Sequence, residues 1–214
     1  MSYAMVAGWD VLRAMISMPF SGIWFADVTV DAQEKLSGRV VMMMPGLTLS
    51  GTVYRAGVYA GRSMAWIVGG AGGLQGSIKS KYYRDTPVRI PLLDIASEVS
   101  EAVAPSADTT ALATMLPTWS RMGGSARAAV SSLASAAGST WRLLADGSIW
   151  LGTDKFAEAK SFEYDVLSDD PVDSVIEIAS ESLPLRPGDA LGGRPVRSLE
   201  HLIGATVRTR VRYG

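Results

Sequence analysis

The sequence contains no cysteine and a single histidine, His201, among 214 residues. Without thiols there are no disulfides, iron–sulfur clusters or thiolate zinc sites. One histidine excludes metal sites built from two or three imidazoles. It also makes any Ser–His–Asp triad depend on His201, and no G-x-S-x-G elbow accompanies it. Charge is sparse as well: Asp, Glu, Lys and Arg make up 19 %, against roughly a quarter in an average soluble domain. The 20 basic and 21 acidic residues leave a net charge of −1, so no global field draws nucleic acid. Uninterrupted apolar runs are short, and no transmembrane helix is expected. The stretch 1–20 lacks a basic leading region and is interrupted by Asp10 and Arg13. It therefore does not read as a signal peptide, and the expectation is a protein soluble where it is made.

What is abundant is apolar side chain. Hydrophobic residues reach 48 % and mean hydropathy is +0.18. A surface this poor in charge exposes apolar area that protein–protein contacts usually cover, which predicts an oligomer or a part of a larger complex. The length suits one large domain or two small ones.

The chain is organised around residues 38–76, GRVVMMMPGLTLSGTVYRAGVYAGRSMAWIVGGAGGLQG. Short strands punctuated by Gly and Pro point to a β-barrel or sandwich rather than a parallel α/β sheet. Before it, Met5, Trp9, Leu12 and Ile16 are spaced for a helix over 3–18 that Pro19 stops. Residues 22–31 read as a strand with Trp24, Ala26, Val28 and Val30 on one face. Val40–Met44 is apolar on both faces and reads as a central strand buried on both sides. Gly51 is expected to be a bulge or kink in the following strand, Ala56-Gly57 and Ala60-Gly61 punctuate the next crossings, and Arg62–Val68 closes the sheet.

Helices are expected at 91–104, 109–116 and 125–137, the last ending on Gly138. Thr140–Gly152 reads as a β-hairpin with Asp146-Gly147 at its turn and Trp141 and Trp150 near its ends. Strands follow at 161–167, 174–179, 194–200 and 206–213. The reading is an α+β fold, mainly antiparallel β, in three parts. These are a barrel-like region with an N-terminal helix over 1–90, helices and a hairpin over 91–160, and strands over 161–214 that return to the barrel or complete another.

The search for chemistry is mostly negative. The loop Gly69–Gly76 could wrap phosphate through its backbone. It misses G-x-G-x-x-G, because the last position falls on Gln75, and no GK[ST] follows. A turn squeezed against a neighbour fits better, which makes Gly70, Gly72 and Gly73 candidate interface residues. Lys79, Lys81, Arg84 and Arg89 interleave with Tyr82 and Tyr83, a pattern that can bind nucleic acid and equally describes an exposed strand. Asp169, Asp170 and Asp173 flank Pro171; they could hold calcium, but without EF-hand spacing they read as a solvated turn. Arg208, Arg210 and Arg212 alternate along the last strand and share one face, either solvated or facing a partner. No catalytic, cofactor or metal residue is assigned. His201 is expected to play a structural role. The remaining alternatives are a small nucleotide- or sugar-processing enzyme using the glycine loop, and a nucleic-acid-binding module using residues 79–89.

Three sets of segments carry a resemblance. The first is WFADVTVD at 24–31 with LSGTVYRAG at 49–57 and VGGAGGL at 68–74. The second is Trp119-Ser-Arg, Ala128-Ala-Val and WRLLADGSIWLG at 141–152. The third is LRPGDALGGRPV at 185–196 with Glu200-His and Arg208-Thr. In this order they resemble the hub proteins of tailed-bacteriophage tails and baseplates. The resemblance implies β-barrel domains in a trimeric or hexameric ring, joining the tail tube to the tip around a channel that DNA crosses transiently. It further implies a place in the virion tail, tail proteins as partners, and neither cofactor nor enzymatic activity.

Overall fold

The computed structural model describes residues 3–159 and 161–214. Six strands come first: β1 (Met5–Val6), β2 (Trp9–Pro19), β3 (Phe25–Val30), β4 (Arg39–Met44), β5 (Leu47–Tyr59) and β6 (Arg62–Gly69). They pair antiparallel in the order β1-β4-β5-β6-β3-β2, and β1 also pairs with β2, so the six strands close a barrel. Its interior is filled by alternate side chains, among them Ile16, Ala26, Val28, Met42, Leu49 and Ile67, all buried. A six-stranded barrel is too narrow to be anything but a packed core.

The helix expected over 3–18 is instead the β1–β2 hairpin. Ala7 and Gly8, both left-handed at φ 51° and 87°, make a tight two-residue turn that suits the strand twist. A register shift between Val11 and Arg13 changes which face the side chains take, so Met5, Trp9 and Leu12 stand outside the barrel while Val11, Ala14, Ile16 and Met18 are buried. The bulge turns strand alternation into something close to helical spacing. The reading of Val40–Met44 as buried on both sides is also corrected: Val41 and Met43 are 42 % and 48 % exposed on the outer wall. Nor is Gly51 a bulge. The irregularity in β5 lies between Val53 and Arg55, and the strand runs on through Ala56-Gly57 to a turn at Ala60-Gly61.

From the barrel the chain passes through a single 3₁₀ turn, Gly73–Gln75, to β7 (Ser77–Ile78), β8 (Lys81–Pro87), α1 (Arg89–Glu98), α2 (Thr109–Ala113), β9 (Met115–Arg121), β10 (Gly124–Ser125), α3 (Ala126–Ala136), β11 (Thr140–Leu143) and β12 (Ile149–Gly152). The first two helices are shorter than expected. Ser100, left-handed at φ 58°, turns the chain so that the Glu101 N–H donates to the Ala96 carbonyl at 2.8 Å, a helix-ending geometry normally served by glycine. Asp108 caps α2 by accepting from Thr110 N–H at 2.8 Å, and the chain then extends through Pro117 in β9, which pairs only with β8 and so tolerates a proline. The third helix and the hairpin follow the sequence reading. Ser125 caps α3, Gly138 follows it at φ 62°, and Asp146 Oδ1 accepts from Ser148 N–H beside Gly147 at φ 86°.

The last strands are β13 (Asp165–Asp170), β14 (Val175–Ala179), β15 (Ala190–Leu191), β16 (Arg194–Ile203) and β17 (Val207–Tyr213). Strand β16 pairs with the second half of β2, from Ala14 to Pro19, and β17, β14 and β13 continue outward in that order. Residues 5–69 and 165–213 thus share one antiparallel sheet.

Candidate functional site

Five features singled out in the sequence can be placed, together with a seam that the sequence did not reveal.

The glycine loop is an anion site whose anion belongs to the protein. The Glu101 carboxylate reaches into it and accepts from Ala71 N–H at 2.8 Å through Oε2 and from Gly73 N–H at 2.9 Å through Oε1. A carboxylate in a cradle of backbone N–H groups makes stronger hydrogen bonds than a neutral acceptor would. The glycines are needed for the approach. A Cβ on Gly70 would lie 2.5 Å from Glu101 Oε2 and 2.9 Å from the Gly147 carbonyl oxygen, and one on Gly73 would overlap the Val99 carbonyl. Gly70 and Gly72, at φ 73° and 85°, are both left-handed. Gly70 and Gly73 therefore pack against their own chain. A phosphate entering this loop would have to displace Glu101 against its charge, which leaves the nucleotide reading without a site.

The same loop begins the seam that joins the barrel to the hairpin. Trp24, 1 % exposed, donates its indole N–H to the Leu144 carbonyl at 3.1 Å. Its ring lies where Cβ atoms on Gly51 and Gly69 would be, 2.8 Å and 2.6 Å away. Close approach of the Val68 carbonyl oxygen, 2.5 Å from where a Cβ would be, and of the Trp24 ring, rather than a bulge, accounts for glycine at 51. Ser50 N–H donates to the Ala145 carbonyl at 2.7 Å, and Gly22 and the β11 strand exchange two further backbone bonds. Neither Trp24 nor Glu101 stands out in the sequence as a joining residue; Glu101 falls inside the helix expected over 91–104, whereas in the structure it follows the end of α1 at Glu98.

His201 is fully buried and shares a 2.8 Å hydrogen bond between Nδ1 and Thr209 Oγ1. Burial, reinforced by the Arg186 charge, pulls its pKa down to about 3. The ring is neutral at ordinary pH and sealed from solvent, so it cannot exchange protons with a substrate.

The basic and aromatic stretch 79–89 lies against α1. Lys81 pairs with Asp94, Glu98 pairs with the buried Arg121, and Arg84 meets Asp85. The Lys81 hydrogen bond holds Asp94 below its usual range. Tyr83 is buried and donates to Asp94 at 3.0 Å; desolvation, then that bond, pushes its pKa up to about 12. Of the two tyrosines only Tyr82 is exposed. Of the four cations in the stretch, Lys81 is paired to the helix and Arg84 to its neighbour Asp85; cations so paired release few counterions to nucleic acid.

The C-terminal arginines are exposed, with Thr209 and Val211 buried between them. Arg208 and Arg210 straddle Glu177 at 3.5 Å and 3.3 Å, and Arg210 also meets Glu200 at 3.4 Å. Arg212, opposite Val175 and Ser198, has no acidic partner among the described residues. In the acidic turn, Asp169 pairs with Arg194 at 2.8 Å and Asp170 accepts from the N–H groups of Val172 and Asp173. Among the described residues no group of three or more histidines or acids is placed to hold a metal ion. A cavity of about 170 Å³ lies between Trp24, Arg142, Arg186 and Asp189, smaller than the pockets that enclose drug-sized ligands.

No protein-family model matches the chain, and no curated protein matches it. Solved structures do. A tail protein from Neisseria meningitidis MC58 is 13 % identical, with 99 % of this chain and 95 % of that one covered at a TM-score of 0.64. The 43 kDa tail protein of prophage MuSo2 from Shewanella oneidensis is 8 % identical, with coverage of 99 % and 96 % and a TM-score of 0.66. The E. coli c3393 protein, a component of the type VI secretion system described as structurally similar to the T4 bacteriophage tail proteins gp27 and gp5, is 10 % identical, with coverage of 99 % and 76 % and a TM-score of 0.63. With a closed barrel, an inserted helix-and-hairpin region and a returning sheet, this chain has the fold of phage tail proteins and of a type VI secretion component.

Proposed function

We propose that the chain is a structural subunit of a phage-type tail or baseplate. In this reading it is a hub that joins the tail tube to the tip and encircles the channel through which the genome passes. The observation that carries the reading is the fold likeness to tail proteins over 99 % of the chain. The glycine loop filled by Glu101 and the sealed His201 argue in the same direction, against a non-structural use of the two features that first invited chemistry. We assign no enzymatic role. In this scheme residues 1–90 are the barrel unit, 91–160 an accessory unit seated on it, and 161–214 the strands that extend the barrel wall.

The packed barrel decides where a channel can be. A core filled by Ile16, Val28, Leu49 and Ile67 admits nothing, so a passage has to lie between copies arranged about an axis. Ring subunits need two broad surfaces that complement each other, and the exposed Tyr54, Tyr59, Met43 and Val166 supply apolar area for them. Arg208, Arg210 and Arg212 are assigned to contacts with tail partners.

Native mass spectrometry of the purified protein, with negative-stain images of the same sample, tests the reading. A closed trimer or hexamer with a central hole is expected. A protein that stays monomeric at high concentration, alone and with tail-tube protein added, would overturn it.

A further inference from the structure

The sheet has two open ends. At one, β13 pairs only with β14 among the described residues and leaves its outer edge unpaired there. At the other, β5 outruns β4: their pairing ends at Arg39 with Thr52, and the last bond on that side runs from Val53 N–H to the Gly38 carbonyl at 2.9 Å. From Tyr54 to Tyr59, β5 pairs with β6 alone. Open edges of this kind are templates for another strand, and monomeric proteins usually blunt them with lysine, proline or cover. The 54–59 edge has neither lysine nor proline. It displays Tyr54 at 57 % and Tyr59 at 78 % exposure.

The two edges match each other and not themselves. Each is six residues long, Tyr54–Tyr59 and Asp165–Asp170. The arm of residues 54–66 carries Arg55 and Arg62 and no acid, whereas residues 163–173 carry Glu163, Asp165, Asp169, Asp170 and Asp173 and no base. Pairing either edge with its own copy would bring like charges together, which is costly at close range; pairing unlike edges joins opposite charges. The apolar residues also correspond, with Tyr54, Val58 and Tyr59 on one side and Val166 and Leu167 on the other, all exposed. An open groove beside Phe162 and Tyr164 continues the acidic edge.

We propose that copies of this chain associate head to tail, with the outer edge of β13 in one copy adding as a strand to the Tyr54–Tyr59 edge of β5 in the next. This rests on the ring reading above and specifies its interface. Because the two edges differ, the contact is heterologous, and such contacts close into rings when the rotation between copies allows it. The sheet would then run on from subunit to subunit.

The chain has no cysteine, so introduced thiols report without background. Val58→Cys and Val166→Cys proteins are prepared separately, mixed and oxidised, and a third chain carries both changes. The mixture is expected to give a dimer containing one of each protein, each single variant alone is expected to stay uncrosslinked, and the double variant is expected to give a covalent ring with the native copy number. Because strand register could separate one thiol pair, Ser168→Cys is used as a second acidic-edge position. Arg55→Glu with Arg62→Glu should weaken association at least tenfold at low salt while leaving the monomer folded. A ring that persists with no mixed crosslink at either position, or one crosslinked Val58 to Val58, overturns this interface and leaves the ring reading standing. A chain that remains monomeric overturns both.

Discussion

One strand, β5, passes through two regions that treat side chains in opposite ways. At Gly51 it lies in the seam between barrel and hairpin, where Trp24 leaves no room for a Cβ and backbone groups pair across to Ala145. A few residues on, from Tyr54 to Tyr59, it leaves the barrel and holds two tyrosines and a valine in water. The seam is tightly packed at Gly51 and Gly69 and hydrogen-bonded within the chain. The arm has one open edge; Tyr54 meets Trp66 edge-on at 5.8 Å, and Val58 and Tyr59 stand out in solvent. The difference separates residues that make the fold from residues whose use lies outside it. Substitutions in the seam should therefore change stability, and substitutions in the arm should change association.

The largest effect should come from the seam's anchor. Trp24→Ala removes the indole wedged over Gly51 and Gly69 and is expected to destabilise by about 3–5 kcal/mol, read by urea denaturation. Gly73→Ala should follow at about 3 kcal/mol, since its Cβ overlaps the Val99 carbonyl and overpacking of a rigid backbone contact costs on this order. Glu101→Gln keeps the shape of the side chain, but its NH2 cannot accept, so one of the two bonds from Ala71 and Gly73 is lost and the other is no longer charge-assisted; a loss of about 2 kcal/mol is expected, with faster amide exchange at those two positions by NMR.

A smaller effect should appear with pH. The folded pKa of His201 lies at about 3, below the unfolded value of 6.5. Between those values the unfolded chain binds a proton that the folded chain does not. The contribution is fully present above about pH 6.5 and is lost as pH falls toward 3, at up to about 1.4 kcal/mol per pH unit. Denaturation midpoints measured between pH 7 and pH 5 should show that slope, before the carboxylates begin to titrate, and a folded His201→Gln variant should flatten it. The smallest effect on stability belongs to the arm: Tyr59→Ser should move the unfolding free energy by less than about 0.5 kcal/mol. If it proves as costly as the seam variants, the contrast between the two regions fails.

What could be read from the sequence follows the range of the forces involved. The 140–152 hairpin and α3 were legible because Asp146-Gly147, Ser125 and Gly138 act on their immediate neighbours. The face of Trp24, Ala26, Val28 and Val30 was legible because β3 alternates without interruption. The first hairpin was hidden by a bulge that changes the phase of the pattern, and β4 by a run so uniformly apolar that inside and outside look alike. In the glycine loop the residues stood out but not their partner, because Glu101 lies 30 positions beyond Ala71 and no local pattern joins them. Arg208 and Arg210 were correctly placed on one face, while the acids opposite them, Glu177 and Glu200, come from two other strands.

The bulge after Val53 has an evolutionary consequence. It lies beyond the last β4–β5 pair, and β6 stays paired with β3 as far as Ser63, so only the tip of the arm, Tyr59–Arg62, is outside the registers that close the barrel. Residues inserted in pairs around Ala60-Gly61 would lengthen the arm without shifting the pairing of β4 with β5 or turning a core residue outward. Reach is thus a dimension that can drift between descendants of this sequence while the barrel stays fixed, and arm length is where relatives built on the same core should differ most.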